Sequence, residues 1–364
     1  MKRRDLLWGA GALALVGGSA AAISFYQTGS SEAYEAAALD ARSTLAQNPD
    51  LKDLVRYATL AANGHNTQPW RFHLTDGRIE IRPDLSRRTP VVDADDHHLF
   101  VSLGCAAENL SLAAQARGMP GDVRFDPAGE GAVTFDYARG AAVQSVLFDA
   151  IPKRQSTRSE YDGRAVTADD LKALADAAAV PGVDVKLITD KPGIARVRDV
   201  VVAANSVQMA QDGFMPELKS WLRFNPRAAM SMRDGLFTAT GGNPAIPSWL
   251  GPIMLDLTMS ASSENDRYSA QMISSSGIAV FTAEKADHEH WVLAGRACQR
   301  FTLQATALGM KVAYMNQPVE VESFRPELAS LIGLPGRRPD IVIRFGYAPA
   351  LPYSLRRPVE AVLV

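Results

Sequence analysis

Residues 61–72, AANGHNTQPWRF, constrain this chain more than any other stretch. Ahead of them Leu51, Leu54, Val55, Tyr57, Ala58 and Leu60 fall at helical spacing, and Asn63-Gly64 offers the left-handed backbone on which helices stop. Behind them Pro69 disfavours the helical region for the residue before it, so Gln68 is predicted extended. Trp70, Phe72 and Leu74 alternate into a strand, and Asp76-Gly77 turns the chain into a second one over residues 78–81. The polar run His65-Asn66-Thr67-Gln68 is thus pinned between a helix end and a strand, beside a tryptophan. Amides both donate and accept, so such a run can read the edge of a flat heteroaromatic ligand. It can equally spend those groups on its own backbone.

The first thirty residues are expected to stand outside the fold. Lys2-Arg3-Arg4 precedes a Gly/Ala-rich apolar run over residues 7–23, the pattern of an export signal, with a buried N-terminal helix as the other reading. Ser19-Ala20-Ala21-Ala22 offers small residues for cleavage, and an uncleaved segment would act as an anchor. Gly9-Ala10-Gly11 lies inside this run with no strand before it, so it is not a nucleotide fingerprint. The chain as a whole is 47% hydrophobic and 21% charged, as globular proteins are, and its net charge of −2 leaves no electrostatic footprint for nucleic acid. Two cysteines, Cys105 and Cys298, are too few for a disulfide framework or a metal knuckle.

Asp93-Ala94-Asp95-Asp96-His97-His98 mixes carboxylates and imidazoles, but an acid-rich helix start accounts for it better than a metal site. The same holds for Asp287-His288-Glu289-His290. The helix that follows Asp96, over residues 99–117, is apolar nearly all round and is therefore expected to be buried. It has a second copy. Residues 104–119 align with 295–310 at a constant offset of 191 (295 − 104), with Leu112 matching Leu303 and Ala114 matching Ala305. Helices built of Ala, Leu and Gly do coincide by chance, yet a duplicated domain is the better account. Residues 206–273 break the repeat. There Met209, Met215, Trp221, Phe224, Phe237 and Trp249 are scattered among Gly241-Gly242, Pro244 and Pro247, which suits a lid or binding wall, or else a buried helical hairpin.

Three more stretches complete the motif set: Arg154-Gln155-Ser156-Thr157-Arg158, Asn316-Gln317-Pro318 after a strand, and the basic tail Ser354-Leu355-Arg356-Arg357-Pro358. Alone, the first reads as a phosphate grip or a basic linker, and the last as a clamp or a solvated tail. Together with GHNTQPW they resemble the nitroreductase family of FMN enzymes, and specifically its fused, twin-domain Acg-type subgroup. The resemblance spans about residues 35–360. It implies an α/β (α+β) fold duplicated into an intramolecular pseudo-dimer, with residues 35–145 as one half, 146–364 as the other, and 206–273 as a lid.

It further implies one FMN per chain. Asn63, Gly64, His65, Asn66 and Gln68 of the first half would supply one wall, and Arg154, Ser156, Thr157, Arg158, Asn316, Arg356 and Arg357 of the second half the other. Many members carry an acidic-Gly pair near Asn316, which is lacking here. No catalytic residue and no metal is implied. The implied activity is two-electron transfer through the flavin to a small electrophile, with the reductant left open and NAD(P)H as one candidate. A protein that holds or sequesters FMN with little turnover is the alternative. The duplication implies a monomeric pseudo-dimer, and the consecutive arginines at residues 3–4 are similar to a twin-arginine signal, which implies a periplasmic protein.

Overall fold

The computed structural model describes residues 28–364, so the arginine pair and the small-residue run at 19–22 lie outside the described residues. Helices α1 (Ser31–Asp40) and α2 (Leu51–Thr59) open the fold, and Asp50 caps α2 by accepting the Asp53 N–H. α2 stops at Thr59, short of the expected Asn63-Gly64. The left-handed residues are His65, Asn66 and Gln68, with φ of 47°, 53° and 53°. Gln68 is therefore not extended. Its N–H donates to Asn63 Oδ1 at 2.9 Å, and its side chain donates to Arg233 O and accepts from the Arg357 N–H. Such backbone costs on the order of 1–3 kcal/mol and persists only where surrounding bonds fix it, as these do.

Strands β1 (Trp70–Thr75) and β2 (Arg78–Pro83) form a hairpin with Trp70 opposite Pro83 and Thr75 opposite Arg78. Helix α3 (His97–Gln115) follows, and the Asp93 carboxylate takes the N–H groups of His98 and Leu99 at its start. Strands β3 (Gly121–Asp126) and β4 (Ala132–Tyr137) complete a four-stranded antiparallel sheet in the order β1-β2-β4-β3.

The chain then passes through α4 (Val146–Ala150) and α5 (Ala168–Ala178) into β5 (Val183–Ile188). A long excursion follows, made of α6 (Lys191–Met209), α7 (Phe214–Trp221), β6 (Leu222–Arg223), α8 (Pro226–Met232), β7 (Leu236–Phe237), α9 (Gly251–Thr258) and α10 (Ala261–Ile273). It ends at β8 (Gly277–Ala283), after which come α11 (His288–Ala307), β9 (Lys311–Tyr314), α12 (Gln317–Glu320), α13 (Arg325–Leu331) and β10 (Ile341–Gly346). The second sheet is antiparallel in the order β5-β8-β10-β9. Both sheets thus run first, second, fourth, third, with a long helix between the second and third strands. The excursion sits between the first and second strands of the second sheet. Within it Phe224 and Phe237 are buried, whereas Trp249, Ile253 and Leu257 are exposed.

Helices α3 and α11 pack together at the centre of the main hydrophobic core. They cross where side chains are absent: a Cβ on Gly104 would lie 2.0 Å from Val292 O, and one on Gly295 would lie 2.0 Å from Val101 O. Beside the crossing, buried Glu108 accepts from Arg296 at 2.9 Å and from Arg300 at 2.8 Å. The tail returns to the first sheet, since the Phe72 N–H donates to Val362 O at 2.7 Å and the Val364 N–H to Phe72 O at 3.0 Å.

Candidate functional site

The site begins at the end of α2. The carbonyls there have no helical N–H to accept, and cations complement the negative end of a helix. Arg356 Nε donates to Thr59 O at 2.6 Å and its Nη2 to Ala61 O at 3.2 Å, while Arg154 Nη2 donates to Leu60 O at 3.1 Å. Arg42 lies alongside, bonded to Ala38 O and Ser354 O. These three guanidinium groups are buried and Arg158 is half-buried. Among the described residues, the charged groups acting on Arg42, Arg158 and Arg356 are arginines and tyrosines, with no carboxylate. Burial and then Arg154 push Arg42 down to about 10, and burial with Arg42 and Arg154 takes Arg356 well below its ordinary value. Arg154 keeps Nε and Nη1, and Arg42 its Nε, buried without a partner. Buried donors of this kind call for an acceptor, and an anion would supply it.

This basic end is a cavity of about 50 Å³, to which Asn63, Asn66 and Ser156 also contribute. Through Ala62, Asn63, Arg158 and Leu236 it joins a larger, more apolar slot of about 200 Å³. Asn63, Gly64 and His65 line the slot together with Val101 and Cys105 of α3 and with Tyr314, Asn316 and Glu320 of the second unit. Phe214 and Leu236 come from the excursion. The two sheet units therefore wall a single cleft.

Of the residues expected from the sequence, Asn63, Gly64, His65, Asn66, Arg154, Ser156, Arg158, Asn316 and Arg356 line this cleft. Gln68, Thr157 and Arg357 do not. Gln68 is fully buried in the bonds described above. Thr157 gives its N–H to Val312 O and its hydroxyl to Gln155. Arg357 turns to Asp84 at 3.7 Å and to Ala361 O. Ser156 and Arg158 reach the cleft, while Thr157 between them is held away from it by its bonds to Val312 and Gln155.

Sequence reasoning missed Arg42, His98, Gln208, Phe214 and Glu320, which also line the cleft. None belongs to a local motif, apart from the acid-rich run that ends at His98. The Val342 N–H donates to Asn316 Oδ1 at 2.9 Å, which turns Asn316 Nδ2 toward His98 Nε2 at 3.2 Å. His98 Nε2 is then the acceptor, so its proton sits on Nδ1, 3.9 Å from Asp93 Oδ1 and 4.0 Å from Glu320 Oε1. Asp93, His97 and His98 each bring a possible ligand atom within 4.8 Å of the others. Their lone pairs are largely committed, however: both Asp93 oxygens to helix N–H groups, and His98 Nε2 to Asn316. The cluster is a helix cap joined to a hydrogen-bond network.

Burial pushes Asp93, Glu320 and Asp340 up to about 7, and for Glu320 the neighbouring Asp93 and Glu217 charges reinforce it against the Gln208 hydrogen bond. Burial, then the Arg158 charge, lowers His65 to about 4, and burial likewise holds His97 and His98 well below their ordinary value. At neutral pH these imidazoles are uncharged.

A model of the nitroreductase family matches residues 151–347, more than half of the chain. The chain is 26% identical over 348 residues to a Mycobacterium tuberculosis (strain H37Rv) protein, Rv3131, named as a candidate NAD(P)H nitroreductase, covering 90% of this chain and 96% of that one. It is 22% identical over 332 residues to the similarly named Acg of the same strain, covering 88% and 96%. Among solved structures, it is similar to the FMN-dependent nitroreductase NfnB of Mycobacterium smegmatis in complex with NADPH, with a TM-score of 0.38, 16% identity, and 56% of this chain and 87% of that chain covered. It is also similar to a Bacteroides fragilis nitroreductase with bound FMN, with a TM-score of 0.34, 17% identity, and 57% and 90% covered.

Proposed function

This chain belongs to the nitroreductase family, and on that premise we propose that it is an FMN-binding oxidoreductase that passes two electrons to a small electrophile. The observation that carries the proposal is the basic end of the cleft, where four arginines meet, two of them with unpartnered buried N–H groups. FMN has the matching polarity, with a phosphate at one end and a flat ring system at the other. Arg42, Arg154 and Arg356 would hold the phosphate, with Arg158 at the junction between the basic end and the slot. Planar, permanently charged forks suit that task.

Asn63 and uncharged His65 would meet the polar edge of the ring system. Phe214 and Leu236 would keep water from its face. When bound, the flavin supplies the storage and transfer of the hydride, while the chain binds, orients and shields it. The names of the relatives support NAD(P)H as the reductant. Because both units wall one cleft, the proposal includes one FMN per chain and a monomeric pseudo-dimer. An origin by duplication is supported by the shared strand order and the constant sequence offset. The proposal also includes a lid role for residues 206–273 and export to the periplasm by the twin-arginine route.

The test is to count the flavin released per denatured chain, then to follow reduction by NAD(P)H and reoxidation by a nitroarene or a quinone. One FMN per chain with repeated turnover is the expected result. Flavin that is bound but never turned over would favour the sequestering alternative, and a colourless protein that takes up no FMN would overturn both.

A further inference from the structure

We propose that Glu320 is the proton donor of this site, delivering its carboxyl proton to the substrate as the substrate accepts a hydride, with His98 and Asn316 as positioning residues. The inference rests on the flavin-dependent reading above. A nitro group reduced by two electrons follows R–NO2 + H⁻ + H⁺ → R–N=O + H2O. The hydride comes from reduced flavin, one N–O bond breaks, and the proton must come from a group that reaches the acceptor. A quinone makes the same demand for one proton per hydride.

Glu320 closes α12 on the wall of the slot, with its side chain 16% exposed. Gln208 Nε2 donates to its Oε2 at 2.6 Å, so Oε1 is the oxygen left to carry the proton. His98 Nδ1 stands 4.0 Å from that oxygen, and the chain from the Val342 N–H through the Asn316 amide to His98 Nε2 keeps the Nδ1 position protonated. When the Glu320 O–H bond breaks, the new carboxylate faces this N–H, which favours the ionised product. Water then returns the proton.

The other groups facing Glu320 are the Asp93 carboxyl, the Glu217 carboxylate, which holds the Val91 and Val92 N–H groups, and the Tyr268 phenol. Among the described residues no guanidinium acts on Glu320, and removal from water keeps its carboxyl protonated up to about 7. An acid held near the working pH is well matched to proton delivery. A carboxylate serving only to join α6 to α12 would need neither the facing imidazole nor a place on the cavity wall.

The variant that decides is Glu320→Gln, which keeps the volume and can still accept from Gln208 but carries no acidic proton. In the full-length, flavin-loaded protein, FMN content and reduction by NAD(P)H should hold near wild-type values. Reoxidation by a nitroarene should slow by about a hundred-fold or more and lose its decline above pH 7. Glu320→Asp should restore part of the rate. Without any turnover, infrared titration of the oxidised protein should show one more carboxyl C=O band disappearing near pH 7 in wild type than in Glu320→Gln, where the Asp93 and Asp340 bands remain. Wild-type reoxidation rates and pH profile in Glu320→Gln would overturn the proton donor and leave the flavin reading intact. If wild type never turns over, the flavin reading fails separately, and a missing infrared band overturns the donor alone.

Discussion

Gly104 and Gly295 exchange one and the same contact. Each stands against the carbonyl three residues before the other, Val292 for Gly104 and Val101 for Gly295, at 2.0 Å from where a Cβ would be. The two carbonyls are themselves 191 residues apart (292 − 101), as are the two glycines (295 − 104). Gly104→Ala or Gly295→Ala should each destabilise the protein by about 1–3 kcal/mol, the usual cost of overpacking. The double variant should cost less than the sum, because one parting of the helices makes room for both methyl groups. Urea denaturation of the three variants checks this, and full additivity would mean that the contacts are independent.

Arg158→Ala should weaken FMN binding by about one to two powers of ten, since a charge-assisted bond contributes about 1.5–3 kcal/mol and about 1.4 kcal/mol is tenfold. Asn63→Ala, in the first unit, should weaken the same site rather than halve the flavin content. Fluorescence titration of the flavin-stripped protein reads both.

The helix crossing left a trace in the sequence, because each close approach of backbone to backbone needs a glycine, and the two glycines stand at the constant offset. The arginine and amide residues of the cleft were legible for a related reason, in that they lie in short runs whose composition is unusual. What the runs could not disclose is which members face inward. Thr157 and Arg357 sit between residues that do, and Gln68 adopts a left-handed backbone that Pro69 argues against. Arg42, His98 and Glu320 were invisible for another reason: they meet only through tertiary packing. The strand order and the insertion point of the excursion are long-range facts with no local trace.

Phe214→Ala should admit external reductants faster than it loosens the cofactor, because Phe214 lines the slot but not the basic end. Stopped-flow reduction by dithionite should speed several-fold, with FMN affinity changing less. Equal losses in affinity and folding would instead mark the residue as core.

Stability should change little between about pH 4.5 and 6.5. Asp93, Glu320 and Asp340 are raised to about 7, so in this window the native state holds protons there that the unfolded chain has lost. Taken alone, they make stability fall as pH rises. His65, His97 and His98 are lowered, so the unfolded chain holds protons there that the native state has lost, and they make stability rise. The two sets oppose one another. Glu320→Gln removes one native proton, so its stability should climb with pH across the window by about 1.4 kcal/mol per unit. Thermal melts at several pH values test the tilt.

Replacing Arg3 and Arg4 with lysines should leave the protein in the cytoplasm yet still loaded with flavin. Fractionation of cells, with flavin counted in each fraction, checks it. Undiminished periplasmic protein would count against the twin-arginine route.

The basic end of the cleft has a consequence for the order of events in the cell. Arg42 and Arg356 meet there across 314 positions of chain (356 − 42). A ribosome that has released only the first sheet has therefore made one arginine and one wall, with nothing to close them. A truncated product stopping short of Arg356 lacks one of the four arginines of the basic end. Closing so long a loop is slow compared with local pairing, so cofactor capture waits on completed synthesis and long-range docking.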